Sequence, residues 1–238
     1  MGISRRLTGA CALVVGMMLL AAAPRAGAAM PGLYFSGFYM DSALAYSTAD
    51  VKQQTMEDWR VAIWRDEIGG DVLDLEEYDF DRTDIGYSFG VGYQMSQYFA
   101  AELAYVQIGE ARYAAVGNVQ AGGEGGQVYR TATEMRTRAR GLGLSGIAIW
   151  PMGDRFSLDA RGGVLWGKKK VSYTVVVQGV GYADGSMKDD SIAYMLGAGI
   201  NWSMSPGTAI RLGYVRLQNA LFDDRHAGSW LLGLKYAW

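Results

Sequence analysis

The chain of 238 residues contains one histidine, His226, with Asp224 two positions before it and Ser229 three after. A carboxylate, an imidazole and a hydroxyl are the parts of an acid–base centre, since the acid orients the imidazole and the imidazole takes the hydroxyl proton. The spacing works against that use. In an extended segment residues three apart point to opposite faces, so His226 and Ser229 diverge, and the neighbouring sequence supplies no further part of a catalytic constellation. A solvated loop histidine is the simpler account, and no catalytic residue is assigned. Ten carboxylates crowd between Glu57 and Asp81, but they lack the ordered ligand spacing and central glycine of a calcium loop. A solvated acidic face is expected there, and no metal site. The glycine-rich stretch Gly117 to Gly126 has neither GxGxxG nor a phosphate-loop lysine, so it reads as a flexible loop and no cofactor is expected.

The elements that would carry chemistry are legible in the last ten residues. Trp230, Leu232, Leu234, Tyr236 and Trp238 alternate with Ser229, Leu231, Gly233, Lys235 and Ala237, which is the period of a strand. One face is large, apolar and rich in aromatics; the other is mainly small or charged. Lipid suits the first face at least as well as a protein core does. The pattern recurs at Ile85 to Met95, Phe99 to Val106, Leu142 to Trp150, Phe156 to Trp166, Ile192 to Trp202 and Ile210 to Tyr214. It is less regular at Leu33 to Tyr46, where Asp41 fixes the inward parity and takes Phe35 and Tyr39 inward with it. The count is about eight strands. Short turns near Ser96, Gly153 and Pro206 fall on one side, and long loops near 47–82, 112–133 and 172–190, with a brief one at 219–227, fall on the other. Within the first of these, Val61, Ile63 and Trp64 are expected to pack.

Strand parity then sorts the charges. Glu102, Asp159, Arg161, Arg211 and Lys235 share the small-residue face, and charges enclosed by a closed sheet need partners. A lumenal charge network is expected from them, in preference to a small-ion site. Continuing the outward parity of Leu142 and Leu144 upward gives Arg140, Arg138 and Arg136, and continuing that of Val164 and Trp166 gives Lys168 and Lys170. These two rows on hairpin neighbours would meet on the outer wall just above the aromatics, and both side-chain types suit phosphate. They are candidate lipopolysaccharide-binding residues. The competing accounts are a β-bulge near Gly141 that turns the arginines inward and plain snorkelling.

Arg5 and Arg6 precede an apolar run from Ala10 to Ala23, and Ala26-Gly27-Ala28 form a small-residue cleavage site. This is the form of a secretory signal peptide over residues 1–28, leaving a mature barrel domain at 29–238. Its removal lowers the formal charge from −2 to −5, 19 basic residues against 24 acidic ones, a balance that does not suit nucleic acid. Cys11, the only cysteine, leaves with it, so no disulfide is expected. No later apolar run is long enough for a helical span, and a closed barrel is the remaining way to satisfy backbone groups in lipid.

Carried by the repeated glycine–aromatic hairpins and terminal Trp238, the stretch Leu33 to Trp238 resembles the small eight-stranded outer-membrane β-barrel proteins of the OmpA-like and OmpX-like superfamily. The peptidoglycan-binding domain that follows the barrel in some relatives is expected to be missing. The resemblance implies an all-β fold: a transmembrane up-and-down antiparallel β-barrel of about eight strands, with short periplasmic turns and long extracellular loops, in the bacterial outer membrane. It implies outer-membrane lipid and lipopolysaccharide around the wall, the barrel-assembly machinery as a folding partner, and an extracellular ligand for the loops. The function expected is non-enzymatic, in envelope integrity or adhesin-like surface interaction. Some small barrels are enzymes, and two alternatives follow from that. His226 with Asp224 resembles the acid–base pair of omptin proteases, and His226 with Ser229 resembles the lipid A deacylases. Omptins, however, resemble ten-stranded barrels with further acids, and the deacylase motif puts histidine and serine one residue apart. A narrow-conductance pore is the last alternative, since eight strands leave an interior that side chains nearly fill.

Overall fold

The computed structural model describes residues 37–49, 53–68, 70–121, 126–219 and 226–238. The expected signal peptide with Cys11, the strand start at Leu33 with Phe35, and Asp224 lie outside the described residues. In chain order the elements are β1 (Gly37–Ala49), α1 (Gln53–Ile68), β2 (Gly70–Asp81), β3 (Thr83–Gln94), β4 (Phe99–Gln107), β5 (Ala111–Ala121), β6 (Gln127–Met152), β7 (Phe156–Val177), β8 (Gly181–Ser205), β9 (Thr208–Gln218) and β10 (His226–Ala237).

Eight of these strands close a ring in the order β1–β10–β9–β8–β7–β6–β4–β3, with β3 returning to β1 and every pairing antiparallel. The two remaining strands continue ring strands upward. On β6, β4 pairs with Ala148 to Arg140 and β5 takes over from Thr137 to Gln127. β2 likewise pairs with β5 as β3 pairs with β4. The eight strands expected are all present, and two of them run on after a break at Arg82 and at Ile108 to Glu110.

The outward side of the ring is apolar. Trp230 is 58% exposed, Leu232 60% and Leu196 68%, which is tolerable only against hydrocarbon. Aromatics bound this band at both ends. Tyr46, Trp230 and Tyr214 share one rung at the upper end, with Tyr214 and Trp230 ring centroids 5.1 Å apart. At the lower end Phe38 meets Tyr93 edge-on at 5.0 Å, and Trp150, Phe156 and Trp202 continue the belt.

Above the band the expectation of long loops gives way to strand. β2, β5 and the upper parts of β6, β7 and β8 occupy most of 47–82, 112–133 and 172–190, and α1 lies within the first of these. The physical reason is a change of solvent. Above the membrane the outer face meets water, so the apolar residues move to the inner face: Tyr113, Val119, Met135 and Val175 are buried there while Arg112, Glu134 and Thr174 face out. Alternation survives with its sign reversed, and the apolar outer stripe that marks a lipid-facing strand is lost.

The ring also opens there. β8 pairs with β9 only from Tyr194 downward, whereas its pairing with β7 continues to Gly181. The upper strands therefore form an open five-stranded crown, β2–β5–β6–β7–β8. Helix α1 packs against it. Arg60, Ile63 and Trp64, at i, i+3 and i+4, form its buried stripe, and the Trp64 Nε1–H donates to Thr133 Oγ1 at 2.5 Å. Arg65 in the last turn suits the helix dipole. Trp64, Tyr113 and Met135 join Leu165, Val215 and Leu231 in one apolar core that runs from the crown down into the upper barrel.

A ring with no free edge at membrane depth resists detergent. Refolded mature protein should migrate faster on a detergent gel before boiling than after it, with a β-type circular dichroism spectrum. Equal mobility in both lanes would contradict the closed ring.

Candidate functional site

Each strand of the ring delivers alternate residues to the lumen, and in the lower half these are the charges. The structure brings Glu102 of β4, Asp159 and Arg161 of β7 and Arg211 of β9 together, all at most 9% exposed. Arg211 grips Asp159 with both Nε and Nη2, at 3.1 and 2.9 Å, the two-pronged geometry that makes guanidinium–carboxylate pairs strong. Arg161 donates from Nη1 to Glu102 Oε1 at 3.1 Å, and its Nε lies 4.0 Å from Asp159 Oδ1. The two pairs are thereby linked across the lumen. Lys235 of β10 enters differently, with its Nζ 3.7 Å from the centre of the Tyr39 ring, a cation–π contact.

Other members carry no full charge or stand outside the expected set. Tyr39 donates its hydroxyl to Glu102 Oε2 at 3.1 Å. Asn201 Nδ2 donates to Asp159 Oδ2 at 2.9 Å, and Asp41 is buried beside them among the residues lining the same space. Parity already places Asp41 and Tyr39 inward; only Asn201, being neutral, gave no signal. Gly92 is part of the arrangement as well, since a methyl group there would collide with the Tyr39 ring. The space left among these groups is about 30 Å³, room for a water or two.

The outer wall carries the second set. The pairing of β6 with β7 is unbroken from Thr131 to Met152, so no bulge at Gly141 turns the arginines inward. Arg138 stands opposite Lys170 and Arg140 opposite Lys168, and Arg136 faces outward on the same parity. Glu110, at the break between β4 and β5, sits almost fully covered beneath three of the arginines. Arg112 Nε donates to it at 2.9 Å, Arg138 binds it from Nε and Nη2, and Arg136 Nε lies 4.0 Å away. Burial alone would raise its pKa, but the Arg138 and Arg112 guanidiniums outweigh that and hold its carboxyl below the usual range.

His226 and Ser229 do not meet. Ser229 points inward, where its hydroxyl is 2.9 Å from that of Ser47, and His226 lies three residues away on β10 with the opposite parity, paired with Gln218.

A family model described as the OmpA-like transmembrane domain matches residues 53–231. The chain belongs to this family. It is therefore a protein of the bacterial outer membrane, and outer-membrane lipid surrounds its apolar band. Among solved structures it is similar to the attachment invasion locus protein of Yersinia pestis, crystallised with the heparin analogue sucrose octasulfate, at 16% identity and a TM-score of 0.48 over 86% of this chain and 100% of that one. Neisserial surface protein A is similar at 13% identity and 0.48, over 85% and 98%. The outer membrane protease OmpT of Escherichia coli is similar at 9% identity and 0.40, over 92% and 100%. No curated protein sequence matches. These structures are too distant to carry function, and the family match stands without them.

Removing one member of a buried ion pair leaves the other charged and unpartnered. Asp159→Ala strands Arg211 and should lower the unfolding free energy in urea by about 3–5 kcal/mol. Lys168→Ala, whose side chain is 73% exposed, should cost less than about 1 kcal/mol. The double change Asp159→Leu with Arg211→Met should recover much of the loss. Equal midpoints for Asp159→Ala and Lys168→Ala would mean that the network does not hold the barrel.

Proposed function

We propose that this outer-membrane barrel is sealed and non-enzymatic, and that it works as a membrane anchor for its five-stranded crown, which serves surface interaction and envelope integrity outside the cell. The observation that carries this reading is the filling of the lumen. Ion pairs close its lower half, and the apolar core under Trp64 closes its upper half. A diffusion pore needs a continuous wet path, and neither layer offers one. What remains for function is the part beyond the membrane. There the chain invests β2, β5, α1 and the upper thirds of three long strands, far more than a short loop connection requires.

The enzymatic alternative has less to stand on. His226 and Ser229 occupy opposite faces of β10, and Ser229 is engaged with Ser47. Without that hydroxyl His226 has no serine nucleophile beside it on β10 to activate.

Two measurements test the proposal. In planar bilayers the refolded protein should give no stepwise openings at moderate voltage; regular openings would make the narrow pore the better reading. The side occupied by the crown is tested by cysteine labelling, since the mature chain has no thiol of its own. A membrane-impermeant maleimide added to intact cells should label Ser186→Cys in the crown and spare Asp154→Cys in the β6–β7 turn. The reverse pattern would place the crown in the periplasm.

A further inference from the structure

The outer wall holds an arrangement that its own residues do not neutralise. At one rung Arg138 of β6 stands opposite Lys170 of β7, and Lys170 stands opposite Lys188 of β8. Three like charges side by side on one sheet face repel one another and destabilise the pairing. One step nearer the membrane lie Arg140 and Lys168, of which Lys168 has Asp190 at 3.8 Å. Arg112 and Arg136 are occupied by Glu110 and Glu134, and Arg138 is held by Glu110. Arg140, Lys170 and Lys188 have no carboxylate partner among the described residues. The two rungs begin immediately above Leu142, Trp166 and Ile192, the upper end of the apolar band. An anion that resides at this depth, at the top of hydrocarbon, is a lipid headgroup.

We propose that Arg140, Lys170 and Lys188, with Arg138 and Lys168 beside them, form a binding site for the phosphate groups of lipopolysaccharide in the outer leaflet. Glu110 divides the labour. By holding Arg112 and Arg138 it fixes the wall, and it leaves the flanking cations with unspent charge. Two lysines and an arginine on adjacent strands engage phosphates as separate point and forked donors, and the acyl chains of the same molecule lie against Leu142, Leu144 and Trp166 directly below. The site depends on the crown lying outside the cell, which cysteine labelling of intact cells checks separately.

The test compares two variants of equal net charge, Lys170→Ala with Lys188→Ala and, away from the site, Arg130→Ala at the top of the crown with Arg155→Ala in the β6–β7 turn, each confirmed as folded by its gel shift on boiling. The probes are purified lipopolysaccharide, the same material after enzymatic dephosphorylation, and inorganic phosphate. The lysine variant should bind lipopolysaccharide about tenfold more weakly than the parent, and the arginine variant should change far less. Dephosphorylation should weaken binding to the parent, and inorganic phosphate alone should bind much more weakly than the lipid. Equal losses in the two variants would mean that net charge alone attracts the lipid, and equal binding of the dephosphorylated form would mean that only the apolar wall does. Inorganic phosphate binding as tightly as lipopolysaccharide would mean a site for the free ion. Any of these three results overturns the proposal.

Discussion

Hydrocarbon offers no partner to a backbone N–H or C=O, and the rest of this structure follows from that constraint. A sheet at membrane depth can satisfy every group only by returning on itself, which it does where β6 meets β7 along 22 residue pairs. Closure with eight strands creates a lumen too narrow to stay wet and too enclosed to leave a charge alone. The inward carboxylates and guanidiniums are then obliged to find one another. Arg211 spans from β9 to Asp159 on β7, and Arg161 spans from β7 to Glu102 on β4. Ion pairs of this kind do not add much stability over an apolar filling, but once present each member depends on the others.

How much of this was legible in the sequence depends on which solvent the outer face meets. Where it meets lipid, period-two alternation has high contrast, and every transmembrane strand, its parity and the inward charges can be read from residues such as Leu142, Leu144 and Trp166. The cation rows on β6 and β7 are legible for the same reason, because the parity of Leu142 simply continues to Arg140 and Arg138. Above Trp166 the contrast fades. Arg112-Tyr113-Ala114-Ala115 still alternates, with Tyr113 and Ala115 inward and Arg112 and Ala114 outward, but the alanines on both faces remove the contrast and the stretch resembles a loop. The sequence therefore reads as loop across β2, β5 and the upper ends of β6, β7 and β8. At the outer wall, Lys188, the third cation of its rung, lies in a stretch that reads as a polar loop and becomes a neighbour of Lys170 only through the β7–β8 register. Helix α1 is illegible for another reason, since one residue of its buried stripe is Arg60, which lies over the Trp64 ring at 4.3 Å; of Val61, Ile63 and Trp64, all expected to pack, Ile63 and Trp64 are buried and Val61 is only half-buried.

The reversal of polarity along one continuous strand answers a problem of specification. A strand that is apolar on both faces does not say which face belongs inside, and a slip of one residue would exchange them at little cost. In the lower half of the membrane band the outside is apolar and the charge network makes the inside polar, so parity is defined there; the inward apolar residues Leu165, Val215 and Leu231 higher up continue strands whose parity is set below. In the crown the outside is fixed as polar, so the inside must be apolar. β6 obeys both rules without changing register, carrying Leu144 outward and Ser145 inward below, and Glu134 outward and Met135 inward above. Below, closure of the ring hides the inner face. Above, the sheet is open between β2 and β8, and an apolar inner face would lie bare to water. Helix α1 is required at that point: Ile63 and Trp64 cover what the ring no longer encloses, and the hydrogen bond from Trp64 to Thr133 ties the cover to β6, one of the three strands that span both regimes.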